Sequence, residues 1–143
     1  MFMSQYSHSI DAKGRLIMPA KFREQLGEEF VVTKGLDGCL FVYPMSEWQN
    51  IEEHFRSIPL TTKDARKFSR FFFAGAASLE ADKQGRVLIP SVLREYADLK
   101  KDVILVGVLN KIEIWDADRW MGESQYEDMD EAAEHMAELG LGI

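Results

Sequence analysis

Asp11-Ala12-Lys13-Gly14-Arg15-Leu16-Ile17-Met18-Pro19-Ala20-Lys21-Phe22-Arg23-Glu24 returns seventy-one residues later as Asp82-Lys83-Gln84-Gly85-Arg86-Val87-Leu88-Ile89-Pro90-Ser91-Val92-Leu93-Arg94-Glu95. Six of the fourteen positions are identical, and the pairs Leu16/Val87, Ile17/Leu88 and Met18/Ile89 exchange one apolar residue for another. After one inserted residue the match resumes: Gly35 aligns with Gly107, Leu40 with Ile112, Val42 with Ile114, Tyr43 with Trp115 and Trp48 with Trp120. Self-similarity at a fixed period means two copies of one folding unit, and it decides the architecture before any single element does.

Within each copy the local chemistry is readable. Tyr6–Ile10 and Arg15–Met18 are short strand-like runs flanking Lys13-Gly14, and a glycine accepts the positive φ of a tight hairpin at little steric cost. The second copy repeats this around Gln84-Gly85. Pro19 and Pro90 end the strand and suit the start of a short helix, marked by Phe22 and Leu26 in one copy and by Leu93 and Tyr96/Ala97 in the other. Phe30–Thr33, Leu40–Tyr43, Val103–Val106 and Lys111–Trp115 read as further strands. Units this small expose strand edges, and two interlocked copies hide them in one barrel. The fold expected is α+β and mainly β: a pseudo-dimeric barrel of two repeats with peripheral helices.

Two longer helices are predicted outside the repeat core. Ser46 and Gln49 suggest a capping box, followed by Trp48, Ile51, Phe55 and Ile58 at helical spacing. Thr62 can cap a second helix, on which Lys63, Arg66, Lys67 and Arg70 form one stripe and Ala65, Phe68 and Phe72 the opposite face. That basic stripe is either a solvated face or a contact surface, for phosphates or for a neighbour's acidic tail. The organisation expected is a first repeat at 1–60, a basic joining helix at 61–74, a second repeat at 75–122 and an acidic tail at 123–143.

Net charge over the 143 residues is −7, but it is unevenly placed. Residues 122–143 hold seven acids and no Lys or Arg, which leaves seventeen acids against seventeen bases in residues 1–121. A neutral body can still present a basic face. The longest apolar run, Phe71–Ala77, has seven residues, far below the roughly 20 that cross a bilayer. The first ten residues lack a secretion-signal plan, and the single Cys39 can form no internal disulfide. These features point to a soluble cytoplasmic protein.

Catalytic chemistry is thinly provided. His8, His54 and His135 are scattered, none at metal-ligand spacing, so neither a metal nor a cofactor is expected. Cys39 has no neighbouring base and reads as structural. No phosphate-cradling glycine loop and no nucleophile elbow occurs. Asp11-Ala12-Lys13 looks like a fragment of a metal-dependent nuclease site, but its companion acids are missing and Gln84 replaces the lysine in the second copy.

The doubled Asp-x-x-Gly-Arg turn carries more. Arg15 and Arg86 follow tight turns, where a planar guanidinium can stand out from a hairpin tip towards phosphate or a guanine edge. Asp11 and Asp82, four residues earlier, can direct these arginines, or the pairs can simply fix the turns. A two-stranded ribbon fits the major groove, and duplication offers two tips per chain, which favours DNA.

These residues closely resemble the MraZ family, in Tyr6–Pro19 and in Asp82–Pro90, over about residues 1–140. The resemblance implies a swapped-hairpin barrel of the AbrB type, rings that bind short direct repeats in double-stranded promoter DNA, and repression of the division and cell-wall gene cluster headed by the family's own gene. It places the DNA-contacting arginine on Arg15 and Arg86. The expected contact set is Lys13, Gly14 and Arg15 with Lys83, Gly85 and Arg86, supported by Asp11 and Asp82. Lys13 and Arg15 should dominate, because Gln84 makes the second tip less basic. Such a protein would be cytoplasmic, associated with the nucleoid and homo-oligomeric. The rival reading is an antitoxin-like interaction module on the same barrel whose arginines only shape turns; an enzyme ranks third.

Overall fold

The computed structural model describes residues 1–123 and 126–143. Among these residues eight strands and six helices follow in the order β1 (Gln5–Ser9), β2 (Arg15–Ile17), α1 (Ala20–Leu26), β3 (Glu29–Lys34), β4 (Leu40–Pro44), α2 (Met45–Ser57), α3 (Lys63–Ala74), β5 (Ala77–Glu80), β6 (Arg86–Leu88), α4 (Ser91–Tyr96), β7 (Asp102–Val108), β8 (Lys111–Asp116), α5 (Ala117–Glu123) and α6 (Met129–Glu138). Of the expected acidic tail, 124–125 lie outside the described residues.

The two repeats are interlocked rather than side by side. Six strands form one antiparallel sheet in the order β1-β7-β8-β4-β3-β5, and β2 pairs with β6 in a separate ribbon. Strand β1 of the first repeat therefore lies on β7 of the second, with Tyr6 opposite Leu105, while β5 of the second lies on β3 of the first, with Phe30 opposite Leu79. This is the swapped-hairpin arrangement, α+β and mainly β. Strand edges that either unit alone would expose are paired by the other.

Side-chain alternation explains how the barrel fills. In the ribbon, Leu16 and Val87 face each other and are fully buried, while Arg15, Ile17, Arg86 and Leu88 point outward. Phe30, Val32, Leu40 and Val42 join them from β3 and β4, and Val103, Leu105, Ile112 and Ile114 from β7 and β8, in one continuous core. Burying each such side chain contributes about 1.5–3 kcal/mol.

Strands β3 and β4 are apolar on both faces because both faces are covered. Val31, Phe41 and Tyr43 turn away from the barrel into a second cluster with Trp48 of α2, Phe72 of α3 and Trp115 of β8. Trp48 and Phe72 stack with centroids 5.4 Å apart. Thr33, fully buried, donates its hydroxyl to the Phe72 carbonyl at 2.6 Å and ties α3 to the sheet.

Helix starts divide the expectations. Thr62 does cap α3, its hydroxyl accepting from the Ala65 amide at 3.1 Å. The capping box at Ser46 and Gln49 is overturned: α2 begins at Met45 behind Pro44, with no side-chain cap, so Ser46 already lies inside the helix. Pro44 has no amide donor and an extended ψ of 156°, so the chain turns directly from strand into helix. Ile58, assigned to the helix face by spacing, is instead its exposed C-terminal boundary.

Candidate nucleic-acid interface

Each repeat joins its first two strands, whose ladders are made with other strands, through the same four-residue turn. The Asp11 amide donates to the Arg15 carbonyl at 2.9 Å and the Gly14 amide to the Asp11 carbonyl at 3.0 Å. Gly14 sits at φ +85° and Gly85 at φ +81°, the left-handed region that side-chain-bearing residues resist. Asp11 then organises the turn with both oxygens. Its Oδ1 accepts from the amides of Lys13 and Arg15, each at 2.9 Å, and its Oδ2 from Arg15 Nε at 2.8 Å. Asp82 accepts from the amides of Gln84 and Arg86, each at 2.9 Å, and from Arg86 Nε at 2.7 Å.

The donors directed at these carboxylates, above all the backbone amides of Arg15 and Arg86, hold Asp11 and Asp82 below the usual carboxylate range. Both acids are therefore ionised at neutral pH. The local Asp–Arg pair, weighed above as a rival to outward projection, is present at both tips. It engages only the Nε edge of each guanidinium. Among the described residues the terminal nitrogens of Arg15 and Arg86 have no protein partner, and the two side chains keep 27% and 32% of their surface exposed. Each arginine is thus fixed in direction on one edge and open on the other.

The tips are also joined across the swap. The Met18 amide donates to the Gly85 carbonyl at 2.9 Å, and the Ile89 amide to the Gly14 carbonyl at 3.0 Å. Ribbon register sets Arg15 opposite Leu88 and Ile17 opposite Arg86. The outward face therefore carries two arginines and two exposed aliphatic side chains related by a local twofold about Leu16 and Val87. Lys13 and Lys83 are exposed beside the tips; Gly14 and Gly85 are buried.

Two cations that the sequence reading did not select complete the patch. Arg94 of α4 donates Nε to the Ile89 carbonyl at 2.9 Å and lays its guanidinium against Gly14; Arg23 of α1 donates to the Met18 carbonyl at 3.0 Å and lies against Gly85. A methyl group on either glycine would stand 2.8 Å from the arginine's Cζ. Both arginines are half-buried and neither has an acidic partner among the described residues. Tip one thus gathers Lys13, Arg15 and Arg94, and tip two Lys83, Arg86 and Arg23. The signal was present in the repeat, where Arg23 and Arg94 align, but their placement depends on pairing between repeats.

Among the described residues no group of three or more His, Cys, Asp or Glu is placed to hold a metal ion. Cys39 is buried, and burial pushes its thiol up to about 12, far from a nucleophile's range. No described helix is long and apolar enough to cross a membrane.

A family model described as MraZ protein, with an antitoxin-like label, matches this chain twice, over residues 1–71 and 72–139. The chain belongs to the MraZ family. It is 60% identical over 143 residues to the transcriptional regulator MraZ of Lachnoclostridium phytofermentans, covering the whole of both chains. It is 59% identical to that of Caldanaerobacter subterraneus and 57% to that of Acetivibrio thermocellus, each alignment spanning 99% of this chain and all of the relative. MraZ membership accords with a role in transcription regulation rather than catalysis, and the two matched segments accord with the doubled unit.

Proposed function

We propose that this chain is a sequence-specific DNA-binding regulator. It represses the division and cell-wall gene cluster containing its own gene, by gripping short direct repeats in the promoter as a homo-oligomeric ring. It works in the cytoplasm at the nucleoid. The observation that carries this reading is the paired tip: at both ends of one ribbon an arginine is held by Asp on its Nε edge, with its terminal nitrogens unpartnered among the described residues. A ribbon of two strands fits the major groove, where such a fork can bond a guanine edge or a phosphate. Arg15 with Lys13 leads, and Arg86 with Lys83 follows.

Each tip offers few cations, so one alone binds weakly at physiological salt. Several tips on one ring raise the local concentration of the next, and avidity can exceed single-tip affinity by roughly 10² or more. Promoters with several spaced repeats are then selected over isolated copies. The test is a mobility-shift titration on the promoter DNA upstream of the chain's own gene, with particle mass measured alongside. Wild type should shift it, and folded, assembled Arg15→Ala should not. An unshifted duplex with wild type would instead favour the antitoxin-like interaction module, in which the Asp–Arg pairs only shape turns.

A further inference from the structure

Helix α6 is amphipathic and uncovered. Met129, Ala132, Ala133 and Met136 fall on one side, while Asp130, Glu131, Glu134 and Glu138 occupy the other. No residue of α6 is buried; Met129 is 51% and Met136 43% exposed. A helix of ten residues is marginal in water by itself, so an apolar stripe of this kind is stabilised by a partner surface.

Helix α3 presents the inverse pattern. Lys63, Arg66, Lys67 and Arg70 are exposed along its outer face, and none of the four has an acidic partner among the described residues. Beside this stripe runs an apolar margin: Phe68 is 37% exposed, over an open groove of about 320 Å³ shared with Asp64, Lys67 and Phe71. On the far side Ile58 and Leu60 rim a second groove of about 410 Å³ that reaches Phe55 and Phe73. The two helices match in length, about 15 Å for α6 and about 18 Å for α3.

We propose that α6 of one copy docks along α3 of the next copy, laying Met129 and Met136 on the Phe68 margin and its acids near Lys63, Lys67 and Arg70. The occupant is a second copy because each chain carries both halves of a charge-complementary pair. The two halves are different patches, so the contact is head-to-tail, the kind that closes into a ring when the rotation permits. The inference rests on the assembled state proposed above and names its surfaces. It also keeps the tail's acids from the DNA-facing arginines. Helix α3 packs on the outer cluster of β3 and β4, whereas the β2–β6 ribbon closes the barrel core on their inner faces.

The experiment is charge reversal in the full chain, read as particle mass by light scattering at fixed concentration and low salt. Lys63→Glu/Lys67→Glu/Arg70→Glu and, separately, Glu131→Lys/Glu134→Lys/Glu138→Lys should each weaken assembly by about tenfold or more, and the combined variant should recover it. Circular dichroism verifies that each variant is folded. As an independent readout, Phe68→Cys with Met136→Cys should give, on oxidation, a ladder of chain-to-chain disulfides. Wild-type-like assembly of both triple variants, or only intrachain disulfides, overturns the docking and leaves the ring reading intact. A wild-type chain that is monomeric at every concentration overturns both.

Discussion

The guanidinium of Arg94 lies against Gly14, a residue of the opposite repeat, close enough that a Cβ there would meet its Cζ at 2.8 Å. Arg23 stands in the same relation to Gly85. The swap therefore does more than hide strand edges. It makes each hairpin tip a composite, with the turn from one repeat and a supporting cation from the other.

Gly14→Ala and Gly85→Ala are expected to destabilise the fold by about 1–2 kcal/mol each, the cost of holding a side-chain-bearing residue in left-handed backbone. The methyl group also collides with the arginine beside it, which moves because its far end is flexible. Calorimetry gives the first effect. Loss of promoter affinity beyond that explained by the unfolded fraction gives the second.

Much of this was legible in the chain itself. The repeat located both tips, Gly14 and Gly85 announced their positive φ, and the identical Asp and Arg positions marked the paired carboxylates. What the sequence could not display was partnership. Whether β2 pairs within its own repeat or with β6 depends on long-range packing of Leu16 against Val87, and the positions of Arg23 and Arg94 follow only from that choice. The misread cap at Ser46 has a similar origin. Local propensity favoured a serine, while the turn out of β4 started the helix two residues earlier, directly after Pro44.

Alkaline stability should fall between pH 9 and about 12. Burial raises the Cys39 thiol from 9.0 to about 12 and the Tyr43 phenol from 10.0 to about 12. The unfolded chain releases these protons first, so it binds fewer of them in this window and unfolding becomes progressively easier as pH rises. Chemical denaturation at pH 8, 10 and 11 measures the decline. At neutral pH the native Cys39 should resist alkylation, reacting only on unfolding.

Asp11→Asn separates two accounts of the tip. If only net charge governed DNA binding, removing an acid beside Arg15 would strengthen it. If the carboxylate serves to aim the guanidinium, binding weakens, and several-fold weakening is the expected outcome. Because Asp11 and Asp82 are held below the ordinary 3.8, the stability their ionised forms contribute is present above that pH and is lost as pH falls through the lowered value. Between pH 5 and 8 both therefore stay ionised and tip geometry is unchanged, and carboxyl titration by NMR should find midpoints under 3.8.

Arg94→Ala should weaken promoter binding and flatten its salt dependence, since each phosphate contact adds about 0.9 to the log–log slope. The same substitution removes the Nε bond to the Ile89 carbonyl, so Arg94→Lys is the informative companion. Lysine retains the charge beside Gly14 without the planar fork. A slope kept by lysine and lost by alanine identifies a phosphate contact. An unchanged slope in both means that Arg94 only braces the turn.

Gln84→Lys offers a test that misfolding cannot imitate, because it asks for a gain. The two turns share their backbone bonds and their Asp–Arg pairs almost distance for distance, and Gln84 is exposed where the first repeat carries Lys13. Lys83 already gives the second tip as many cations as the first, so lysine at 84 places a further cation at the position that Lys13 holds in the first turn. Affinity for repeat-bearing DNA should rise, with a salt slope steeper by about 0.9 for one added phosphate contact, and Lys13→Gln should lower both by a similar amount. If Lys13→Gln weakens binding while Gln84→Lys leaves it unchanged, the second tip does not reach the duplex. The asymmetry between the repeats then marks a division of labour, in which the first tip grips DNA and the second completes the barrel.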